Sequence, residues 1–434
     1  MMKYTPPRGA IPEQLHLSKA QKQALMDEAD RVVAETLQAN ELFIANGREL
    51  TADQWKHVKS REKVHVYRSR RAPTAKPRRH RGSHAQSHDE KDPSRPRLLS
   101  NSTIERQHRD AVAAGIPHAF GDDYDTQEMS HTHSSSSDCG SFTLFEDSIL
   151  DKMKPANVPL IIGTGVVDGC VEDVAFGALA NTKYAWLVRN SYVNNDEFDD
   201  RRLLTTLQAP SEEDPFRFVG VKWATRDYGA FITRRDFLFV ESTGIALDSD
   251  GERVFYNLSH SIELAECPPL PPRFNLIRVK LSSCHIARQL DDSSVEVYAR
   301  GFVDPGGDLL ENHGVALMAQ AVASVAGIVE CSNLKKLAWF MARRRRSDAQ
   351  RPQYSSDCGV CGKPINKLAN LIQPPIGCPI CRHVTCNKCS VHKKLTVDAA
   401  EEVIQKQFTF CLSCVIQARK LSAWDVATAS LQTP

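Results

Sequence analysis

The chain has 434 residues, 13 cysteines and a formal net charge of +2, with 41% apolar and 25% charged side chains. Such a length calls for two or more domains, and the balanced charge gives no global signal for nucleic acid, so no specific nucleic-acid partner is expected. The opening residues MMKYTPPRGA lack the apolar stretch of a signal peptide, so residues 1–16 read as a tail and the protein as cytoplasmic, with reduced thiols.

The first ordered element is a helix in LSKAQKQALMDEADRVVAETLQANELF, with Ser18 as N-cap and apolar residues at Leu25, Ala29, Val32, Val33 and Leu37. QWKHVKSREKVHVYRSR, where Val64 and Val66 alternate with polar neighbours, reads as a strand. From Arg68 to Arg97 the chain is basic, rich in Pro and Ser and almost free of apolar residues. GDDYDTQEMSHTHSSSSD, from Gly121 to Asp138, is acidic and Ser-rich and reads as disordered too, so residues 72–140 are expected to be a disordered insertion that cannot bury enough surface to fold.

VPLIIGTGVVDG then reads as a strand and CVEDVAFGALA as a helix. Further strands are expected in RFVGVKWAT, AFITRRDFLFVES, ERVFYNLSH, FNLIRVKLSSCHIARQ and SVEVYARGFVD. Asp250-Gly251 supplies one hairpin turn, and Asp291, Asp292 and Ser293 another, giving an antiparallel meander. A long helix follows from about Leu309 to Met341, with a stripe at Val315, Met318, Val322, Val325 and Val329. Its apolar run GVALMAQAVASVAGIV falls short of the ~20 residues a membrane span needs. The fold class is α+β: a curved antiparallel sheet gripping a long C-terminal helix, an arrangement that permits an internal cavity.

Eight cysteines crowd into the last fifth of the chain as four C-x-x-C pairs: Cys358 and Cys361, Cys378 and Cys381, Cys386 and Cys389, Cys411 and Cys414. A C-x-x-C turn sets two thiolates on one side of a backbone corner, where both reach a tetrahedral Zn²⁺ at ~2.3 Å. Eight ligands make two closed structural zinc sites. A strong chelator is then expected to unfold residues after about Gln353 and to leave the larger domain intact.

The order C-x2-C-x16-C-x2-C-x4-C-x2-C-x21-C-x2-C resembles the FYVE zinc-finger family and its relatives. That resemblance implies interleaved pairs, with Cys358, Cys361, Cys386 and Cys389 on one zinc and Cys378, Cys381, Cys411 and Cys414 on the other. Family members that bind phosphatidylinositol 3-phosphate carry a basic segment around the second pair. Here it reads PPIGCPICR, with only Arg382, in the family glycine's place, remaining. The membrane-surface candidates are Arg382, Lys388, Lys393 and Lys394, with Leu371 and Ile372 as a shallow apolar tip. A RING-type reading replaces Cys378 by His383 as ligand.

DPFRFVGVKWA, RRDFLFVESTGIALDSDGERVFYNLSHSI and SSVEVYARGFVDPGGD resemble the START lipid-binding family, in its members that also carry FYVE-like fingers. The resemblance implies a START-like domain over 17–71 and 141–346, a linker at 347–353, the finger at 354–420 and a tail at 421–434. It also implies a sterol, phospholipid or other apolar ligand held under the last helix. Strand candidates for the cavity wall are Trp223, Phe231, Phe239, Tyr256, Tyr298 and Phe302, with Val322 and Val325 from the helix. Arg234, Asp236, Arg288 and Arg300 are candidates for head-group contacts or internal ion pairs.

No G-x-S-x-G, P-loop or H-E-x-x-H motif is present, so no enzyme is expected. The reading is a non-enzymatic lipid-binding protein, cytoplasmic and peripheral on endosomal or other anionic membranes. The alternatives are a RING-type ubiquitin ligase and a protein-binding scaffold with a filled START-like core.

Overall fold

The computed structural model describes residues 9–70, 148–193, 198–229, 232–307, 309, 311–347, 356–365, 377–399 and 403–432. The expected insertion at 72–140 lies outside them, as do Phe231, Leu371 and Ile372.

Helix α1 (Lys19–Ala45) starts with a reciprocal cap: Gln21 N–H donates to Ser18 Oγ at 3.2 Å and Ser18 N–H to Gln21 Oε1 at 2.8 Å. The stretch expected as one strand turns at Glu62 (φ 53) into a hairpin of β1 (Trp55–Arg61) and β2 (Val64–Ser69). A short α2 (Ile149–Met153) leads to β3 (Ile161–Asp168), α3 (Val171–Ala178), α4 (Lys183–Val193) and β4 (Asp200–Gln208). Then come β5 (Phe218–Arg226), β6 (Arg234–Leu247), β7 (Arg253–Ser261), β8 (Leu276–Arg278), β9 (Lys280–Asp291) and β10 (Ser294–Asp304). The expected strand from Phe274 onward is broken at Val279, separating β8 from β9.

These strands form one sheet in the order β1-β2-β3-β10-β9-β7-β6-β5-β4, antiparallel throughout, with β8 added parallel to β6. Helix α1 covers one face, here the outer. Across the inner face lie α3, α4 and the C-terminal helices. The long expected helix is α5 (Glu311–Ala323) and α6 (Ile328–Ser347), separated by a 3₁₀ turn at Ser324–Gly327. Asn312–Arg344 is apolar enough to pass for a membrane span (mean hydropathy 1.7 in its best window). Its role in the fold is different: α5 packs over β1, β2, β3 and β10, and α6 packs against α3.

The finger contains a hairpin of β11 (Ser390–Asp398) and β12 (Ile404–Cys411) followed by α7 (Leu412–Arg419). The segment expected as a C-terminal tail is instead a helix, α8 (Ala423–Leu431), capped by Ser422 Oγ. Its Ala423, Val426 and Ala427 join Val171, Val174, Phe216 and Phe255 in one core cluster, so α8 returns to the body. The finger also shares α6, since Leu337 and Met341 pack with Cys378, Ile380, Leu395 and Phe410.

Candidate ligand site and metal centres

Strand alternation assigns each residue of the sheet to one face, and the two faces differ in chemistry. On the outer face Trp223, Tyr256 and Tyr298 share the core of α1. Trp223 Nε1–H donates to Asp236 at 3.0 Å, and Arg278 Nε–H donates to the same carboxylate at 2.8 Å. Arg288 pairs with Asp248 and reaches Asn40 of α1. Arg300 lies 3.8 Å from Asp151, and Phe302 packs with Leu150 and Val158. Arg234 pairs with Asp227 at 3.0 Å near the end of β6.

The structure therefore places these residues on the face opposite the C-terminal helices: Trp223, Tyr256, Arg288 and Tyr298 against α1, Asp236 beside Trp223, and Arg300 and Phe302 beside α2. Asp236, Arg288 and Arg300 take the ion-pair role. The physical reason is that both faces of this sheet are covered, so a buried aromatic residue marks neither. Of the named candidates, Phe239 lies on the inner face, edge-on to Trp186 with centroids 6.0 Å apart. Val322 presses on Gly163, where a Cβ would stand 2.1 Å from its Cγ1. Val325, on the 3₁₀ turn, packs with the core of Phe255 and Val297.

Two cross-strand rows run across the middle of the inner face. One joins Thr243, Asn257, His285, Ala299 and Gly163; the next joins Gly220, Glu241, Ser259, Ser283 and Gly301. Nearly all are small or polar. Apolar residues flank them, with Phe255, Ala287 and Val297 on one side and Phe237 and Phe239 on the other. Asn257, Ser259 and His285 are only half-buried, although burial pushes the His285 imidazole down to about 4. Ser283 is 7% exposed, and its Oγ finds no hydrogen-bond partner among the described residues.

At one end of these rows stands a charged cluster. Glu241, with its side chain 1% exposed, accepts from both Nη atoms of Arg189 at 3.2 Å and from Lys222 Nζ at 2.8 Å. The cations also bind the C-terminal carbonyls of α3 and the turn after it. Arg189 donates to Ala178 O, Lys222 to Ala180 O, and Lys335 of α6 to Phe176, Gly177 and Leu179 O, at 2.7–3.0 Å. These carbonyls are the negative end of the helix dipole. Burial pushes Lys222 and Lys335 down to about 8. Burial also opposes the charge of Glu241, but Arg189 and Lys222 outweigh it and hold that carboxyl below its ordinary value. None of these residues was singled out from sequence. The usable signal was the polar i, i+2 pairs within strands, in NLS (Asn257, Ser259) and SCH (Ser283, His285).

The eight paired cysteines form two tetrads, Cys358, Cys361, Cys386 and Cys389, and Cys378, Cys381, Cys411 and Cys414, with the sulfurs of each within 4.8 Å of one another. The interleaving is the one the FYVE resemblance implies. Sγ atoms lie 3.8 Å apart for Cys361 and Cys386 and 3.7 Å apart for Cys381 and Cys411. Those spacings match the roughly 3.8 Å edge of a sulfur tetrahedron with ~2.3 Å metal bonds. The donor set fits a metal ion at each tetrad.

Both knuckles close alike: Gly362 N–H donates to Cys358 O and Arg382 N–H to Cys378 O, each at 2.8 Å. Gly362 and Arg382 both have left-handed backbones, φ 68 and φ 67. His383 belongs to neither tetrad and is exposed. Among the membrane-surface candidates, Lys388 and Lys394 are exposed, whereas Lys393 pairs with Glu330 of α6 at 2.5 Å and faces the body.

Together these features define a helix-grip α+β body joined to a finger with two cysteine tetrads. No family model and no curated protein matches the chain. Solved structures do. Human StAR-related lipid transfer protein 5 is 13% identical, with a TM-score of 0.35, covering 69% of this chain and 96% of its own. Human STARD10 is 9% identical, with a TM-score of 0.35, covering 76% and 86%. An aromatase/cyclase, Zhui, from a Streptomyces species is 14% identical, with a TM-score of 0.24, covering 44% and 96%.

Proposed function

We propose that this chain is a non-enzymatic lipid-binding protein, sensing or transferring an apolar ligand held between the inner face and the α5–α6 helices. The observation that carries this is the pair of small, polar rows in the middle of the inner face. A solid core would fill them with apolar side chains, because interiors pack without voids. Val322, Met318 and Phe218 close over the glycines of these rows, so the room lies between them, where Asn257, Ser259 and His285 stay half-buried and the Ser283 hydroxyl has no partner among the described residues. A buried hydroxyl of that kind calls for a ligand or water. The sequence resemblance to START domains supports the same reading.

The finger holds two structural zinc ions in this proposal. Its exposed Lys388 and Lys394 suit a cytoplasmic protein that touches anionic membranes or a protein partner. Native mass spectrometry of the full chain, followed by lipid extraction, tests the ligand. One apolar molecule per chain is expected. A chain that stays unliganded when offered mixed lipids would mean a filled core and a scaffold.

A further inference from the structure

We propose that the ligand of the grip carries an anionic head, a carboxylate or a phosphate, seated at the end of the inner face formed by Arg189, Lys222 and Lys335. This rests on the lipid-binding reading above and names the class of ligand.

Among the described residues, Arg189 and Lys222 pair with Glu241, and Lys335 lies on the carbonyls beside them with no carboxylate of its own. Three cations therefore face one carboxylate there, Lys222 buried and the other two half-buried. The negative end of α3 offsets roughly half a charge. Isolated buried charge is costly unless it is paired. The carbonyls that accept from these cations satisfy hydrogen bonds but bring no full negative charge. His285 borders the cluster and is kept neutral by burial, with Arg189 adding to that effect, so it supplies neutral hydrogen-bonding capacity beside the cations. Ser283, two strands along the same row from Glu241, carries a buried hydroxyl with no partner on this face among the described residues. An anionic head would neutralise the excess and accept from Ser283. A chain attached to it would lie against the flanking Phe237 and Phe239.

The test uses the full delipidated chain and a fluorescent long-chain fatty acid, its methyl ester and inorganic phosphate. The acid is expected to bind about ten-fold more tightly than the ester, the ratio that one charge-assisted contact of ~1.4 kcal/mol supplies. Ser283→Ala and Lys222→Met should bring the acid-to-ester affinity ratio toward one. Equal affinity for acid and ester would overturn the anionic head and leave the lipid grip standing. Binding of neither would remove the grip as well. Phosphate displacing the acid at equal concentration would make this a free-anion site. Acid preference that survives in folded Ser283→Ala and Lys222→Met proteins would place the head elsewhere. The acid-to-ester ratio is read on the unaltered chain, so the proposal can fail even if a variant does not fold.

Discussion

At His285, burial, with Arg189 adding to it and a backbone hydrogen bond to Asn257 opposing, sets a response to acid. Its folded pKa is lowered to about 4, while the unfolded chain titrates near the ordinary 6.5. Between those values the unfolded state binds a proton and the folded state does not, so stability falls as pH drops from about 6.5 to about 4. Because the ring is only half-buried, solvent screening keeps the full loss to about 1–2 kcal/mol. His285→Asn should remove this part of the acid sensitivity. Denaturant midpoints of both proteins at pH 7 and pH 5 measure it, and the cysteine thiolates cancel because both proteins carry them. Equal midpoint shifts in the two would show that the His285 imidazole is not held neutral in the folded chain. Arg382 poses a separate case. Its φ of 67 matches that of Gly362 on the other knuckle, but a side chain in that region costs ~1–2 kcal/mol that glycine avoids. Arg382→Gly is therefore expected to stabilise the finger by about 1 kcal/mol, seen as a higher thermal midpoint. A lower midpoint would mean that the Arg382 side chain makes a stabilising contact.

Among elements, the two knuckles were the most legible from sequence and the sheet faces the least. Cys378→Ser removes one of four sulfurs from a tetrad, so metal analysis is expected to give about one zinc per chain for the variant and two for the unaltered protein. His383→Ala should retain both, since its ring lies outside the tetrads. The reverse result would restore the RING-type ligand set. Ligand spacing could be read because C-x-x-C is a local constraint, complete within a few residues. The inner face could not be read, because Trp223 and Lys222 are neighbours whose opposite orientations mean nothing until α1 and α3 are placed. Alternation correctly located β5, β6, β7 and β10, but both sides of those strands are buried. The hydrophobic pattern therefore could not separate core from ligand wall. Helix α4, with Arg189, went unread because its sequence NTKYAWLVRNSYV carries no strong apolar stripe; only Trp186, Leu187 and Asn190 are buried.

For the whole molecule, α6 is the decisive element because it belongs to two units. One side bears Lys335, which binds α3, and Cys331, whose Sγ–H donates to Gly177 O. The other side gives Leu337 and Met341 to the core of the finger. Lys336, 1% exposed, ties Asp173 of the body to the carbonyls of Arg419, at the end of the finger, and Leu421, just after it. Glu330 pairs with Lys393 and with Arg419, and Thr396 of the finger accepts or donates hydrogen bonds with Ser191 and Tyr192 at the end of α4. These contacts predict coupling of the two units on chelation, where the sequence alone led to an expectation of independence. Unfolding the finger would expose Leu337 and Met341, roughly 1.5–3 kcal/mol each, and would free α8, whose Trp424 stacks edge-on against Phe216. That sum is a large share of the 5–15 kcal/mol that holds a typical domain together. Stripping the metal should thus lower hydrogen-exchange protection in the finger and, with it, along α6 and at the end of α4, and should weaken ligand retention in the grip. Re-adding zinc should restore all three. If chelation deprotects residues 356–420 while α6 keeps its full protection, the finger is only tethered to the body, and its metal state does not reach the ligand.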